Sequence, residues 1–310
     1  MKVAIMGVAG FVGCNLARRL ISEGHEVIGI DNFSHGSRTN IGGLDMEFIE
    51  ADLTDDDCLK GLTFDLCVHL ASEKIPRYSD AFFTLENNHE ILSNVIYACL
   101  WNNAKLLFAS TSDVYGKNEQ PPFSEKSPLV MGETTVKRWA YAVSKIHAEY
   151  YIQACAAHYG LKYVIMRFFS AYGPYQNTSW WGGPQGIFID KMLKGQPVEI
   201  HGDGRQTRCF TYIDDLVDGI VRCIGAENDI FNIGNPDTET TIMELCLLIA
   251  GIVDRLPILH YVPYETFGNY EDIRRRVPDI TKARELLGYD PKVNLYDGLV
   301  KTIEWQRSVS

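Results

Sequence analysis

The 310-residue sequence predicts an α/β protein built on a doubly wound parallel sheet, with a smaller mixed α/β part attached. Three observations carry this. Short apolar runs recur along the first half, helical patterns separate them, and acidic or hydroxyl residues stand where the runs end. Near-continuous apolar strands separated by helices belong to a parallel sheet covered on both faces, because every parallel connection needs a crossover.

The elements follow in order. Residues 2–6, KVAIM, form an apolar strand, and the glycine turn Gly7-Val8-Ala9-Gly10-Phe11-Val12-Gly13 leads into the amphipathic stretch CNLARRLISEG, stopped at Gly24. Further strands are EVIGI before Asp31, MEFIE before Asp52, FDLCVHLA before Ser72, KLLFAST at 105–111 and KYVIMRF at 162–168. After Arg167 the chain changes character. The segment FFSAYGPYQNTSWWGGPQG is rich in Gly, Pro and aromatics, and its adjacent Trp180 and Trp181 suit either a packed rim or a ligand contact. Beyond it, short strands (PVEIHG, CFTYI, DIFNIG) mix with helices near 214–225, 241–251, 280–287 and 296–307. Residues 1–168 with about 209–235 are expected to form a dinucleotide-binding domain, and 169–208 with about 236–310 a substrate domain.

Composition bounds the function. With 29 Lys plus Arg against 40 Asp plus Glu the net charge is −11, which argues against nucleic acid or an anionic membrane as the main partner, since both reward a basic face. No apolar run approaches the ~20 residues that span a bilayer, and glycines interrupt the first apolar stretch, so a cytoplasmic location is expected. Eight cysteines (14, 58, 67, 99, 155, 209, 223, 246) lie scattered without a CxxC pair, which reads as buried thiols with no metal site.

Three glycines spaced GxxGxxG directly after a strand permit a tight turn, close approach to a pyrophosphate and close helix packing, with the helix N-terminus facing the anion. Asp31 ends the second strand, placed to accept hydrogen bonds from a ribose; its charge would repel a 2′-phosphate, so NAD is favoured over NADP. This makes the sheet Rossmann-type. Asp52-Leu53 and Leu70-Ala71-Ser72 stand at further carboxyl ends of strands, the edge where such sheets bind ligands.

Tyr141 and Lys145 lie one turn apart on a helical stretch, WAYAVSKIHAEYYIQAC, and share a face. A neighbouring ammonium and a nicotinamide cation both favour phenolate, so this pair can supply a base that a free phenol of pKa ~10 cannot. Thr111 can bridge a substrate oxygen and the phenol.

With these residues in view, the chain resembles extended short-chain dehydrogenases/reductases that modify nucleotide sugars: 4-epimerases, 4,6-dehydratases and glucuronate decarboxylases. The resemblance runs through GVAGFVG (7–13), HLAS (69–72), TSDVYG (111–116), RWAYAVSK (138–145), MRFFSAYGP (166–174), GDGRQTRCFTYIDD (202–215), FNIG (231–234) and DITKARELLGYDP (279–291). It implies that Thr111, Tyr141 and Lys145 are catalytic, with Ser112 and Asp113 beside them. It further implies that Gly7, Gly10, Phe11, Val12, Gly13, Asp31, Asn32, Asp52, Leu53, Leu70, Ala71, Ser72, Lys74, Asn88 and Phe168 hold NAD together with Tyr141 and Lys145. On the side of a nucleotide-diphosphate sugar it implies Ser170, Gln185, Arg208 and Arg276, the two arginines matching contacts to the diphosphate. Departures from the usual pattern are Met6-Gly7 for Thr-Gly, Ser170 for Asn, and Glu90-Ile91 for Gly-Thr.

Members share oxidation at the sugar C4 and differ in what the 4-keto sugar does next. Thr111-Ser112-Asp113 lacks the first carboxylate of the dehydratase Thr-Asp-Glu, while Asp113 is a shortened version of the glutamate in the decarboxylase Thr-Ser-Glu. Arg138 and Trp139 resemble enzymes of uronic acids. A 4-epimerase needs neither carboxylate, so the expectation is 4-epimerisation of a UDP-hexose or UDP-hexuronate, with UDP-glucuronate decarboxylation as the alternative and a noncatalytic NAD-sensing protein as the reading from another class. The family commonly dimerises by pairing helices around 87–101 and 141–157 into a four-helix bundle, and the apolar stretch ILSNVIYACLW fits that homodimer.

Overall fold

The computed structural model describes residues 1–74, 80–179 and 181–309. A seven-stranded, wholly parallel sheet is assembled from β1 (Lys2–Met6), β2 (Glu26–Asp31), β3 (Glu47–Glu50), β4 (Leu66–His69), β5 (Lys105–Thr111), β6 (Tyr163–Phe168) and a strand from the second half, Asp229–Ile233. In chain order this last strand is β11, after the short strands β7 (Ala171–Tyr172), β8 (Val198–His201), β9 (Thr207–Cys209) and β10 (Thr211–Tyr212). The sheet order is β11-β6-β5-β4-β1-β2-β3. It reverses at β1, opening a crevice at the carboxyl ends of β1 and β4.

The helices α1 (Phe11–Ser22), α2 (Arg38–Ile41), α3 (Ala81–Asn102) and α4 (Trp139–Tyr159) belong to the first half, and α5 (Pro184–Leu193) and α6 (Ile213–Cys223) follow. Burial alternates along the strands as two covered faces demand. Val3 and Ile5 of β1 point into the core shared with α1 and α6, whereas Ala4 and Met6 point into the core shared with α3 and α4. Gly160 and Asn103, both in the left-handed conformation, end α4 and α3.

The remaining chain supplies β12 (Glu239–Thr241), α7 (Ile242–Val253), β13 (Leu259–Val262), α8 (Thr281–Leu287) and α9 (Leu295–Val309). Thr241 and Glu244 form a capping box at the start of α7. The two-stranded pairs are β7 with β10, β9 with β12 and β8 with β13. The stretch expected as one strand at 209–213 is divided: β9 and β10 take different partners, and Ile213 already begins α6.

Two backbone ties return the C-terminal part to the sheet edge. Phe123 N donates to the Val277 carbonyl and Asp279 N to the Phe123 carbonyl, both at 2.8 Å. The buried Asp215 accepts from the backbone N–H groups of Lys292 and Val293, each at 2.9 Å. Asp215→Ala strands those two donors and is expected to cost about 3 kcal/mol, read as a lower urea midpoint at unchanged slope.

Candidate active site

The glycine turn is built by close contact. Gly7 has φ +88°, and a Cβ there would meet Ala71 N at 2.9 Å; a Cβ on Gly13 would lie 2.2 Å from the Gly7 carbonyl oxygen. Gly10 caps α1 without any side-chain hydrogen bond, so the first N–H groups of the helix are left for a ligand. Asp31 is buried at the end of β2, its Oδ2 accepting from Ala9 N at 2.9 Å and its Oδ1 from Phe33 N at 2.8 Å. Burial raises its carboxyl above the ordinary value against those two hydrogen bonds. Asn32 donates to Asp52 Oδ2 at 3.1 Å, joining the ends of β2 and β3.

These residues line one cavity of about 640 Å³ that runs from the glycine turn past Asp31, Asn32, Asp52 and Leu53, then Leu70, Ala71, Ser72 and Lys74, to Thr111, Ser112, Asp113, Tyr141 and Lys145. Phe168, Ser170, Gln185 and Arg276 close the far side. Of the residues expected here, two lie elsewhere. Asn88 stands behind the wall, its carboxamide bonded to Ser72 Oγ, to both backbone polar groups of Glu73 and to Ser144 Oγ, so it shapes the loop after β4. Arg208 is turned onto the carbonyls of Thr207 and Ile273 and onto Asp272, at 2.7, 2.8 and 3.4 Å. Ser170 has φ +34°, in the left-handed region that Asn also favours.

The structure also adds residues. Trp181 lines the cavity and stacks on His35 at 3.7 Å, and His35 Nε2 is 2.9 Å from Glu73 Oε1; Trp180 lies outside the described residues. Gln185 is 1% exposed and its Nε2 has no hydrogen-bond partner among the described residues, nor has the buried Gln176 Oε1 near it.

At the end of the cavity near Thr111, Lys145 is 4% exposed; its Nζ donates to the Ala109 carbonyl at 2.9 Å and sits 4.6 Å from the Phe108 ring centroid. Burial pulls its pKa down to about 7, with Glu149 opposing. The Tyr141 phenol is pushed up by burial and then by the Asp113 charge, while its hydrogen bond with Thr111 and the charge of Arg276 work the other way. The lowering expected from Lys145 is not what the protein alone produces: Nζ is 5.9 Å from the Tyr141 ring centroid and committed to Ala109.

Asp113 anchors a charge cluster. Its Oδ1 is 2.9 Å from Arg276 Nη1 and 3.4 Å from Arg138 Nη2. Burial alone would raise its carboxyl, but Arg276, Arg138 and Arg208 hold it below the ordinary value, so it stays ionised at neutral pH. Arg276 Nη1 also donates to Ser112 Oγ at 3.1 Å, and its buried Nε has no partner among the described residues. Asp272 completes the group beside Arg208 and Arg138, which leaves three guanidiniums to two carboxylates.

The chain belongs to the NAD dependent epimerase/dehydratase family, whose description matches residues 3–234. This bears out the resemblance to extended short-chain dehydrogenases/reductases. The chain is 34% identical to a UDP-N-acetyl-alpha-D-glucosaminuronate decarboxylase from Bacillus cytotoxicus over 99% of this chain and 98% of the relative. It is 34% identical to UDP-glucuronic acid decarboxylase 1 of Danio rerio over 98% of this chain and 72% of that protein. Among solved structures, UDP-glucose 4-epimerase from Thermotoga maritima superposes with a TM-score of 0.90 at 30% identity, covering 100% of this chain and 99% of that one. Both of the relatives by sequence are named as decarboxylases, one of them of UDP-glucuronic acid, which favours the alternative expectation over 4-epimerisation.

The residues present fit NAD, since the cradle at Gly7 and Gly13 has no room for a Cβ and the start of α1 is open to an anion. Among the described residues no helix is long and apolar enough to cross a membrane, and no three His, Cys, Asp or Glu side chains are grouped to hold a metal ion. Tyr141→Phe is expected to lower turnover at least 1000-fold while leaving the NAD dissociation constant within a factor of two, read by steady-state kinetics and calorimetry. Asp31→Ala is expected to weaken NAD about 10- to 100-fold, through the loss of charge-assisted hydrogen bonds of about 1.5–3 kcal/mol, in the same calorimetric titration.

Proposed function

We propose that the chain is an NAD-dependent decarboxylase of a UDP-linked hexuronate. The observation that carries this is Arg276: a buried guanidinium with a free Nε, lining the cavity wall beside Ser112 and Asp113 near the Tyr141 phenol, where a sugar carboxylate needs a partner. The two decarboxylases at 34% identity support it, and Arg138 with its excess positive charge supports an acidic sugar over a neutral one.

NAD, which the glycine turn and Asp31 would hold, would supply the acceptor and later donor of the C4 hydride, and the 4-ketone would make the C5 carboxylate that of a β-keto acid. The chain's residues act around that change. Tyr141 is the group placed to take the proton from O4, and Thr111 holds the phenol in place. Lys145 sits one turn away at the nicotinamide end of the cavity. Arg276 orients the carboxylate so that its bond to C5 breaks with loss of carbon dioxide, the electron pair passing to the ketone oxygen, which the Tyr141 proton stabilises; C5 then takes a proton from water, which restores the ketone for reduction. Asp113, being ionised, is no proton donor. It sets the position of Arg276 and Arg138, and with no protonated carboxyl group at this position the acid that water elimination requires is missing.

A second reading, 4-epimerisation of the same uronate, is favoured by UDP-glucuronic acid 4-epimerase from Bacillus cereus, with TM-score 0.89 and 26% identity over 100% of both chains. The test is NMR of products from UDP-glucuronate and UDP-N-acetylglucosaminuronate with NAD. Decarboxylation releases carbon dioxide and loses the C5 carboxylate signal; a C4 epimer that keeps it would replace the first reading by the second. Arg276→Ala is expected to lower carbon dioxide release about 100-fold, some 2.7 kcal/mol of transition-state stabilisation, with NAD binding unchanged.

We further infer a homodimer through α3 and α4. Tyr97, Trp101 and Tyr150 on these helices are 61%, 89% and 69% exposed, which is more aromatic surface than solvent-facing helices carry. Tyr97→Glu is expected to convert the species seen by sedimentation velocity from dimer to monomer.

A further inference from the structure

Tyr141, Lys145 and Glu149 succeed one another at four-residue spacing on one face of α4. The first two have assigned work. Glu149 is 3% exposed, and among the described residues its carboxylate bonds only to other buried groups. Its Oε1 accepts from Ser110 Oγ at 2.5 Å and from Arg167 Nε at 3.0 Å, and its Oε2 from Arg167 Nη2 at 2.6 Å. Arg167 Nη1 in turn donates to Tyr115 OH and to the Glu125 carbonyl, both at 3.1 Å, and Tyr115 OH donates to Asn232 Oδ1 at 2.6 Å. A fully bonded polar line thus crosses β5, β6 and β11 behind the site.

Its place relative to the chemistry gives it a role. Ser110 lies between Ala109, whose carbonyl accepts the Lys145 ammonium, and Thr111, whose hydroxyl bonds the Tyr141 phenol. Lys145 itself has few charged neighbours. His69 of β4 is buried and held neutral, Tyr141 is a neutral phenol, and Glu149 is the anion that acts on it from its own helix. A buried ammonium without an anion nearby gives up its proton readily.

We propose that Glu149 is a positioning residue of this enzyme: through Ser110 it fixes the end of β5 from which Ala109 and Thr111 act, and by its charge it keeps Lys145 an ammonium. A carboxylate placed for folding alone would not need to sit one turn beyond the catalytic lysine and bridge to the strand that holds it.

The test separates charge from scaffold. Glu149→Gln retains the shape and an acceptor for Ser110. Its Lys145, followed by NMR of 13Cε-lysine in the protein without substrate, is expected to titrate about one pH unit lower than in the parent. The sign follows from the requirement for a charged lysine: the ammonium is lost as pH rises through its pKa, so a lower pKa moves the alkaline limb of kcat to lower pH. At pH 7.5 kcat should fall about 5- to 10-fold, recover toward the parent at pH 6, and leave KM for the sugar nucleotide within a factor of two. Ser110→Ala keeps the charge, so it should lower kcat without moving the limb. Glu149→Gln leaves Arg167 buried without its partner, so Glu149→Gln/Arg167→Met, which removes both charges, is the paired variant and should shift Lys145 in the same direction by a smaller amount. An unshifted Lys145 in either folded variant overturns the charge role, and an unchanged kcat in Ser110→Ala overturns the strand role. Failure of both Glu149 variants to fold assigns the carboxylate to folding and also overturns the proposal. The NMR readout is independent of which sugar is the substrate, so it stands apart from the decarboxylase reading.

Discussion

Between the Gly7 carbonyl and the Cα of Gly13 there is no space for one methyl group, and the placement of the whole site follows from that contact. It lets α1 start directly against the end of β1, so the N–H groups of the helix open onto the sheet edge where the chain order reverses. Because the sheet is wholly parallel, all its carboxyl ends lie on that one edge. Asp31, Asp52, Leu70 and Thr111 therefore reach the same cavity from different strands, and α4 needs only to cross the edge of β5 for Tyr141 and Lys145 to join them.

The same edge concentrates charge in a way the overall composition conceals. A chain of net charge −11 gathers three arginines around Asp113 and Asp272, a cluster that reaches the cavity through Asp113 and Arg276. Burial strengthens each of these interactions and also sets opposing demands: it presses Lys145 to lose its proton and Tyr141 to keep one. The proposed reaction requires the reverse, so the neighbouring charges and a bound cofactor would have to carry the balance that solvent cannot.

The parallel sheet and the cofactor side were largely legible because they are written locally. Apolar runs at 2–6 or 162–168, glycines at fixed spacing and YxxxK on a helical stretch need only their own neighbours to be recognised. What stayed hidden depends on contacts distant along the chain. The motif around Arg208 points to a diphosphate, whereas its bond to Asp272, 64 residues on, has no signal in that motif. The resemblance places Asn88 on the cofactor, and its loop-building role rests on Glu73 and Ser144. Nothing near Glu149 in the sequence announces that Arg167 and Ser110 will close around it, and β13 escaped notice because LHYV alternates too weakly to stand out from a loop.

The bond from Arg276 to Ser112 spans 164 residues, and it is the last part of the cavity to be synthesised. A chain ending at β11 already holds the seven-stranded sheet, the glycine cradle, the Tyr141–Lys145 pair and every described residue that lines the cavity except Arg276. The wall beside Ser112 is thus closed by a segment that returns from the far end of the chain, so its position depends on the C-terminal part being tied back onto the sheet.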